Sequence, residues 1–408
     1  MKTKRVIISG GGTGGHLYPA LVLGRTLRDK VPELEIFHVG SRRDAEKRIM
    51  AAHRTRFIAM PIEGLKGRGL RSFRGLGLLP GAFIQSFALL LRLRPALVVG
   101  VGGYSSGPIV LLAAWMGIPT LIMEQNVRPG FTNRLLRRYA LKVVVAFEES
   151  LPYFRNKGVL LGNPVRREFA ALPPKSRTDR LSVLVFGGSQ GSRFLNQGVG
   201  TALPLLAGLK DRLEIVHQTG PAGLDEVRRR YAENGFDRAE VEAYFDDMPS
   251  RFGRADLVIC RAGATTCAEL VAAGKAALLV PFAGASEGHQ TPNAAALEKT
   301  GGAEVLPESE FTPIRLAGRI RRFLSHPEEL TAMERALAVL KKPQADRNIA
   351  DLCLTLMAGG SKDEPSRPKW PPRLCSPHSR SECGRASPGP RTTRSSRTTR
   401  SSRTPSKE

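Results

Sequence analysis

Three glycine clusters each follow a short apolar run: Gly10–Gly15 (GGGTGG), Gly102–Gly107 (GGYSSG) and Gly187–Gly191 (GGSQG). Each leads into a helical pattern. Glycine permits a tight turn and lets backbone N–H groups approach an anion, and the helix behind adds the positive end of its dipole. One such turn says little. Three, divided between two halves of a chain, point to substrates that carry several phosphates. His16 follows the first turn directly, and an imidazole titrates near neutrality, which suits it to moving a proton. Gly10-x-Gly12-x-x-Gly15 also fits a dinucleotide fingerprint. That alternative wants an acidic residue at the end of the second strand, where this chain has Gly40-Ser41-Arg42-Arg43, a setting suited at most to NADP. Asp246 and Asp247 are adjacent and form no Asp-x-Asp pair, and no cofactor is expected.

Such turns need elements to hold them. Apolar runs at Arg5–Ser9, Glu35–Val39, Leu97–Val101, Thr120–Met123, Val143–Ala146, Ser182–Phe186, Glu214–His217, Ala255–Cys260 and Ala276–Val280 read as strands. Amphipathic stretches such as Leu17–Asp29 and Thr265–Ala273 alternate with them. Alternation of this kind specifies a parallel sheet covered by helices, with near-continuous apolar strands buried on both faces. The pattern starts at Val6 and again at Leu181, and Phe169–Arg180, with Pro173 and Pro174, has the composition of a linker. The expectation is an α/β protein of two doubly wound domains facing a central cleft. Residues 1–163 form the first and 164–339 the second, and a last helix at about 340–358 rejoins the first. Ligands in such sheets bind beyond the carboxyl ends of the strands.

The charged fraction of 24% is ordinary for a folded chain, but the net charge of +25 is not. Residues 359–408 carry +8 (12 Lys/Arg against four Asp/Glu), which leaves +17 on residues 1–358. The body is therefore basic on its own account, and its partner is expected to be anionic. Residues 359–408, with RTTRSSRTTRSSR near their end, lack the apolar content to fold and read as a disordered basic tail, either inert or an electrostatic contact. Only 6% of residues are aromatic and no RNA-binding signature occurs, so nucleic acid is not the expected partner. The five cysteines have no zinc-ribbon spacing and are expected as free thiols in a reducing compartment. At the N-terminus the apolar run Val6–Ile8 is too short for a signal peptide, and Leu76–Leu91 is broken by Pro80, Gly81 and Gln85 and too short to span a bilayer.

GGTGGHLYPA, GGYSSGP, EQN followed by PGFTNR, GNPVR, GGSQG and HQ with NA occur in that order between Val6 and about Met357. As a set they resemble the MurG family of N-acetylglucosaminyltransferases, which complete the lipid-linked disaccharide of peptidoglycan. The resemblance implies a GT-B fold and an inverting, metal-independent transfer. The donor would be UDP-N-acetylglucosamine and the acceptor the 4-hydroxyl of undecaprenyl-diphosphoryl-N-acetylmuramoyl-pentapeptide. Another GT-B glycolipid transferase or a UDP-sugar epimerase is the alternative. On that resemblance His16 or Glu124 is the general base. Thr13, Gly14, Gly15 and Asn126 face the donor from the first domain. Ser189, Ala264 and Thr265 meet its diphosphate, Glu269 its ribose diol, and Arg166 and Gln290 its further oxygens. Phe245 stands where the family commonly has an aliphatic residue that contacts uracil through its backbone. Gly102, Gly103, Tyr104 and Ser105 would meet the acceptor diphosphate. A lipid acceptor implies a peripheral protein at the cytoplasmic face of the inner membrane. Lys66–Arg94, where six basic residues surround Leu76–Leu79, Phe83, Ile84 and Phe87, is the expected contact with an anionic surface. Other cell-wall synthesis and division proteins are expected as partners on the same ground.

Overall fold

Runs of Val, Ile and Leu build two parallel sheets. In the first, β1 (Arg5–Gly10), β2 (Glu35–Ser41), β3 (Arg56–Met60), β4 (Leu97–Gly102), β5 (Thr120–Glu124), β6 (Lys142–Val145) and β7 (Gly158–Leu160) lie in the order β3-β2-β1-β4-β5-β6-β7. In the second, β8 (Leu181–Phe186), β9 (Leu213–Gln218), β10 (Glu240–Glu242), β11 (Leu257–Cys260), β12 (Ala277–Leu279) and β13 (Ala303–Val305) follow the order β10-β9-β8-β11-β12-β13. Parallel neighbours require a crossover, and helices supply it on both faces. This computed structural model describes residues 4–11, 14–62, 70–285 and 288–359, apart from the side chains of 14, 45 and 70–76. Thr13, Lys66, Arg68, the side chains of Arg71 and Arg74, and the basic stretch 360–408 with Cys375 and Cys383 lie outside the described residues.

The strand order reverses at β1/β4 in the first sheet and at β8/β11 in the second. A crevice opens at such a point because consecutive crossovers leave in opposite directions. Gly10 pairs with Gly102 across β1/β4, and Phe186 pairs with Cys260 across β8/β11. The turns GGGTGG and GGYSSG therefore leave the first sheet side by side, as do GGSQG and Arg261–Thr265 from the second.

The helix Ala345–Met357 buries Ile349, Ala350, Cys353 and Leu356 against Leu23 and Leu27 of the helix Gly14–Lys30, beneath the first sheet. Thr26 donates to Asp346 at 2.8 Å along the same seam. The chain thus crosses to the second lobe and returns. The segment Phe169–Arg180 is less of a spacer than its prolines suggest. Phe169 is fully buried in the second lobe, edge-on to Phe252, and Lys175 and Arg177 reach the buried Asp256 at 2.6 and 3.4 Å. Composition flags the prolines; the anchoring comes from an aspartate about 80 residues onward, which local reading does not reach. Cys260, Cys267 and Cys353 are buried free thiols, and burial pushes each thiol up from its ordinary value.

Candidate active site

The helix Gly14–Lys30 begins where GGGTGG ends, so His16 lies in its first turn. The ring leans over the second glycine turn: a methyl group on Gly102 would stand 2.9 Å from His16 Nε2. Gly102 and Gly103 have φ of +100° and +78°, and a Cβ on Gly103 would strike the Gly11 carbonyl at 2.2 Å. Only glycine lets the two turns approach this closely. Burial pulls the His16 pKa below 6.5; Glu124, the Gly11 carbonyl and Glu46 oppose that pull, and His289 adds to it. The Nε2 of His16 lies beside Gly102.

Glu124 is held by local hydrogen bonds on both oxygens. Its Oε1 accepts from Asn126 N and Nδ2 at 2.9 and 3.1 Å, and its Oε2 from Gly130 N and Asn133 Nδ2 at 3.0 and 2.9 Å. A carboxylate has about four lone-pair sites, and all are taken. It fastens the EQN and PG turns, and its charge stays close to His16. Asn126 is likewise committed: it bonds Glu124 and accepts from Asn293 Nδ2 at 3.1 Å, so its amide spans the two lobes instead of pointing at open cleft.

Hydrogen bonds among the described residues cross the cleft. Thr265 Oγ1 donates to Gly15 O at 2.8 Å, Val127 N donates to Asn293 Oδ1 at 2.9 Å, Asn293 bonds Asn126, and the Tyr18 and Tyr244 hydroxyls stand 3.4 Å apart. The first bond sets the N-terminus of the helix Ala264–Ala273 against the turn that carries His16. Gly263 precedes this helix without a side-chain cap, so its first N–H groups are open to an anion. Glu269, one turn along, is buried and bonds Arg166 Nη2 at 3.0 Å; burial pushes its carboxyl pKa up while Arg166 pulls it down. Arg166 stacks on Tyr18 at 4.4 Å and on Phe169 at 4.7 Å. The two residues expected at the donor meet each other at the lobe junction.

In the second lobe Ser189 is exposed at the tip of GGSQG. The helix cap belongs to Ser192, which accepts from Leu195 N and from Arg261 Nη2 at 2.9 Å. Arg261 lies beneath this turn between Phe194 and Phe282 and pairs with Glu308 at 2.7 Å. Gln290 Oε1 accepts from Ala262 N and Phe282 N, which turns its amide nitrogen outward as a donor. The Phe245 ring is in the core beneath Arg251, and its N–H is given to Gln218, so its carbonyl is what remains for a base. Asp247 caps the helix Met248–Arg254 through Ser250 N, a structural use of that acidic pair. In the second glycine turn, Tyr104 packs partly against the first core and Ser105 Oγ is buried with no partner among the described residues. No group of three or more His, Cys, Asp or Glu side chains among the described residues is placed to hold a metal ion.

Asn293, Tyr18, Tyr244 and Arg261 stand at this junction and had no assigned role in the sequence. Asn293 and Tyr18 fall inside the family motifs, in NA and in GGTGGHLYPA; Tyr244 gave no signal, since its contact comes from the opposite lobe.

Two doubly wound lobes with glycine turns at facing switch points define the GT-B fold. Residues 6–145 match the glycosyltransferase family 28 N-terminal domain, and residues 182–349 its C-terminal domain. The UDP-N-acetylglucosamine–N-acetylmuramyl-(pentapeptide) pyrophosphoryl-undecaprenol N-acetylglucosamine transferase of Myxococcus xanthus is 47% identical over 86% of this chain and 93% of that protein. Its namesake in Syntrophus aciditrophicus is 43% identical over 87% and 99%. The crystal structure of Acinetobacter baumannii MurG superposes with a TM-score of 0.69 at 30% identity, covering 86% of this chain and 99% of that one. The chain belongs to glycosyltransferase family 28 and, within it, to the MurG family. A UDP-GlcNAc 2-epimerase from Neisseria meningitidis, at 12% identity and a TM-score of 0.60, shares the fold alone.

Proposed function

We infer that this enzyme transfers N-acetylglucosamine from UDP-N-acetylglucosamine to the 4-hydroxyl of undecaprenyl-diphosphoryl-N-acetylmuramoyl-pentapeptide. The acceptor oxygen bonds to C1 of the donor sugar as the bond from C1 to the β-phosphate oxygen breaks. The hydroxyl proton passes to His16 Nε2, and UDP leaves with inversion at C1. One observation carries this assignment. His16 Nε2 lies against Gly102 of the acceptor-side turn, while its neighbour Gly15 is bonded to Thr265 at the helix N-terminus that meets the donor. The base thus sits between the two substrates.

The diphosphate charge that grows on the leaving group is met by the N–H groups of Ala264 and Thr265 and by Ser189. Preorganised donors of this kind stabilise an anion without reorganisation at the moment of reaction. Glu269 is the candidate for the ribose diol, with Arg166 freed to turn toward the donor. The first lobe also supports a membrane-surface role. Helices Leu70–Leu93, Ser106–Trp115 and Phe131–Leu136 pack side by side and leave Ile84, Phe87, Leu91, Trp115 and Leu135 exposed, with Arg92, Arg94 and Arg138 among them. No helix among the described residues is long and apolar enough to cross a membrane.

UDP release from UDP-N-acetylglucosamine, measured with and without a short-chain analogue of the lipid acceptor, tests the reaction. Release that depends on the acceptor is expected. Donor binding without acceptor-dependent release would move the acceptor to another lipid or sugar.

A further inference from the structure

We propose that Glu46 is a positioning residue for this reaction: a buried carboxylate that fixes the Gly11 turn and, through it, the ring of His16. The proposal rests on His16 being the proton acceptor. Glu46 lies in the helix Asp44–Ala52 and is 2% exposed. Its Oε2 accepts from Ser41 N at 2.8 Å and its Oε1 from Ser41 Oγ at 2.6 Å, so the carboxylate is held at the carboxyl end of β2. From there it presses on bare backbone. A Cβ on Gly40 would stand 2.6 Å from Oε2, and one on Gly11 only 2.5 Å from it. Gly11 is in turn clamped from the other side, where Gly103 comes within a methyl's reach of its carbonyl. Gly103 is chained to Gly102, on which the His16 ring rests. The path from carboxylate to imidazole therefore consists of contacts that admit no side-chain atom, and a shift at one end is passed to the other.

The two donors of Ser41 go to two different oxygens of Glu46, an arrangement that an amide, with one oxygen, would have to rebuild. The carboxylate also bears on His16. The charged and titratable groups that face His16 are Glu124, Glu46 and His289. The two carboxylates favour the imidazolium that forms when His16 takes the proton, and His289 opposes it. Glu124 supplies its charge while fastening the neighbouring turn, and Glu46 does so while fastening Gly11. Both the aim of the ring and its basicity would then depend on a residue that touches neither substrate.

The full-length protein would be compared as wild type, Glu46→Gln, His16→Ala and the double variant. Thermal unfolding and the KM for UDP-N-acetylglucosamine serve as controls. Glu46→Gln is expected to lower kcat by about 10- to 100-fold, the range a small misplacement of a catalytic group can cost, with little change in donor KM. The acid limb of its rate profile should move to lower pH, because losing a nearby negative charge makes His16 a weaker base. In the His16→Ala background the same substitution should cost nothing further, since residues acting through one group are not additive. Wild-type kcat and an unmoved limb for Glu46→Gln, beside a crippled His16→Ala, would overturn the proposal for Glu46 alone. Equal losses in both backgrounds would also overturn it. Wild-type turnover by His16→Ala would instead remove the assignment of the base. Should Glu46→Gln fail to fold, Ser41→Ala, which deletes one of the two bonds to the carboxylate and leaves its charge, must still lower kcat with little change in donor KM; a wild-type kcat there overturns the proposal.

Discussion

At the scale of single residues, the proposed base, His16, and its alternative, Glu124, differ in what their hydrogen bonds leave open. Glu124 has four donors on two oxygens and no lone pair to spare. His16 keeps its Nε2 against the acceptor turn, and burial holds the imidazole neutral by pulling its pKa below 6.5. His16→Ala should therefore lower kcat by roughly 10²- to 10⁴-fold, the usual contribution of a general base, and leave donor KM little changed. The sign of the pH dependence follows from the direction of the shift. Activity needs the unprotonated ring, so it is full at neutral pH and is lost as pH falls through a value below 6.5. A rate profile whose acid limb is centred above 6.5 would point to another group. His16 is legible as a candidate because it directly follows a glycine turn, and Thr265, Glu269 and Gln290 are named through the motifs shared with the family. Glu46 and Asn293 were not, because each acts through backbone that folding alone brings near: Gly11 for one, Val127 for the other.

At the scale of elements, the strands recognised in the sequence and those missed divide along one line. The nine apolar runs are the nine interior strands of the two sheets; the four missed, β3, β7, β10 and β13, are the four edges. An interior parallel strand is buried on both faces and flanked on both sides, which demands a continuous apolar run. An edge strand has one neighbour and tolerates RFIAM, GVL, EVE or AEV, in three cases only three residues long. Composition alone therefore found the sheets and their switch points, and these fix the site. The turns leaving those points are as constrained as their glycines suggest. Gly191 has φ +73°, and a Cβ there would stand 1.8 Å from Thr219 O. Gly191→Ala should cost about 2 kcal/mol or more in stability, from left-handed backbone strain and a backbone clash together, and should raise the KM for UDP-N-acetylglucosamine. Gly208→Ala, where nothing lies within 4 Å, is the control expected to leave both unchanged. Differential scanning calorimetry and initial rates on the two variants check this, and a Gly191→Ala protein with wild-type donor KM would sever the turn from the donor.

At the scale of the whole molecule, a water-exposed cleft must receive one substrate from solution and another from a lipid surface. Hydrogen bonds that cross the cleft are worth about 1 kcal/mol each, so each gives way readily as the lobes part on donor entry. The first lobe offers what a surface contact needs. Ile84, Phe87 and Leu91 recur at helical spacing along one stripe, 71%, 47% and 51% exposed, beside Trp115 at 50% and Leu135 at 55%. A row of this kind on a water-exposed lobe is more than scattered surface apolarity. Exposed Arg92, Arg94 and Arg138, with the +17 charge of residues 1–358, would set the lobe on anionic lipid. The purified protein should therefore sediment with vesicles containing phosphatidylglycerol and release at about 1 M salt, where screening shortens to roughly 3 Å. Ile84→Glu should weaken this partition by about 30-fold, the equivalent of roughly 2 kcal/mol for one large side chain withdrawn from apolar surroundings, while UDP-N-acetylglucosamine binding is retained. Equal binding to phosphatidylcholine vesicles would remove the electrostatic part of this assignment. Undiminished binding by Ile84→Glu would remove the apolar part and place the contact on another face.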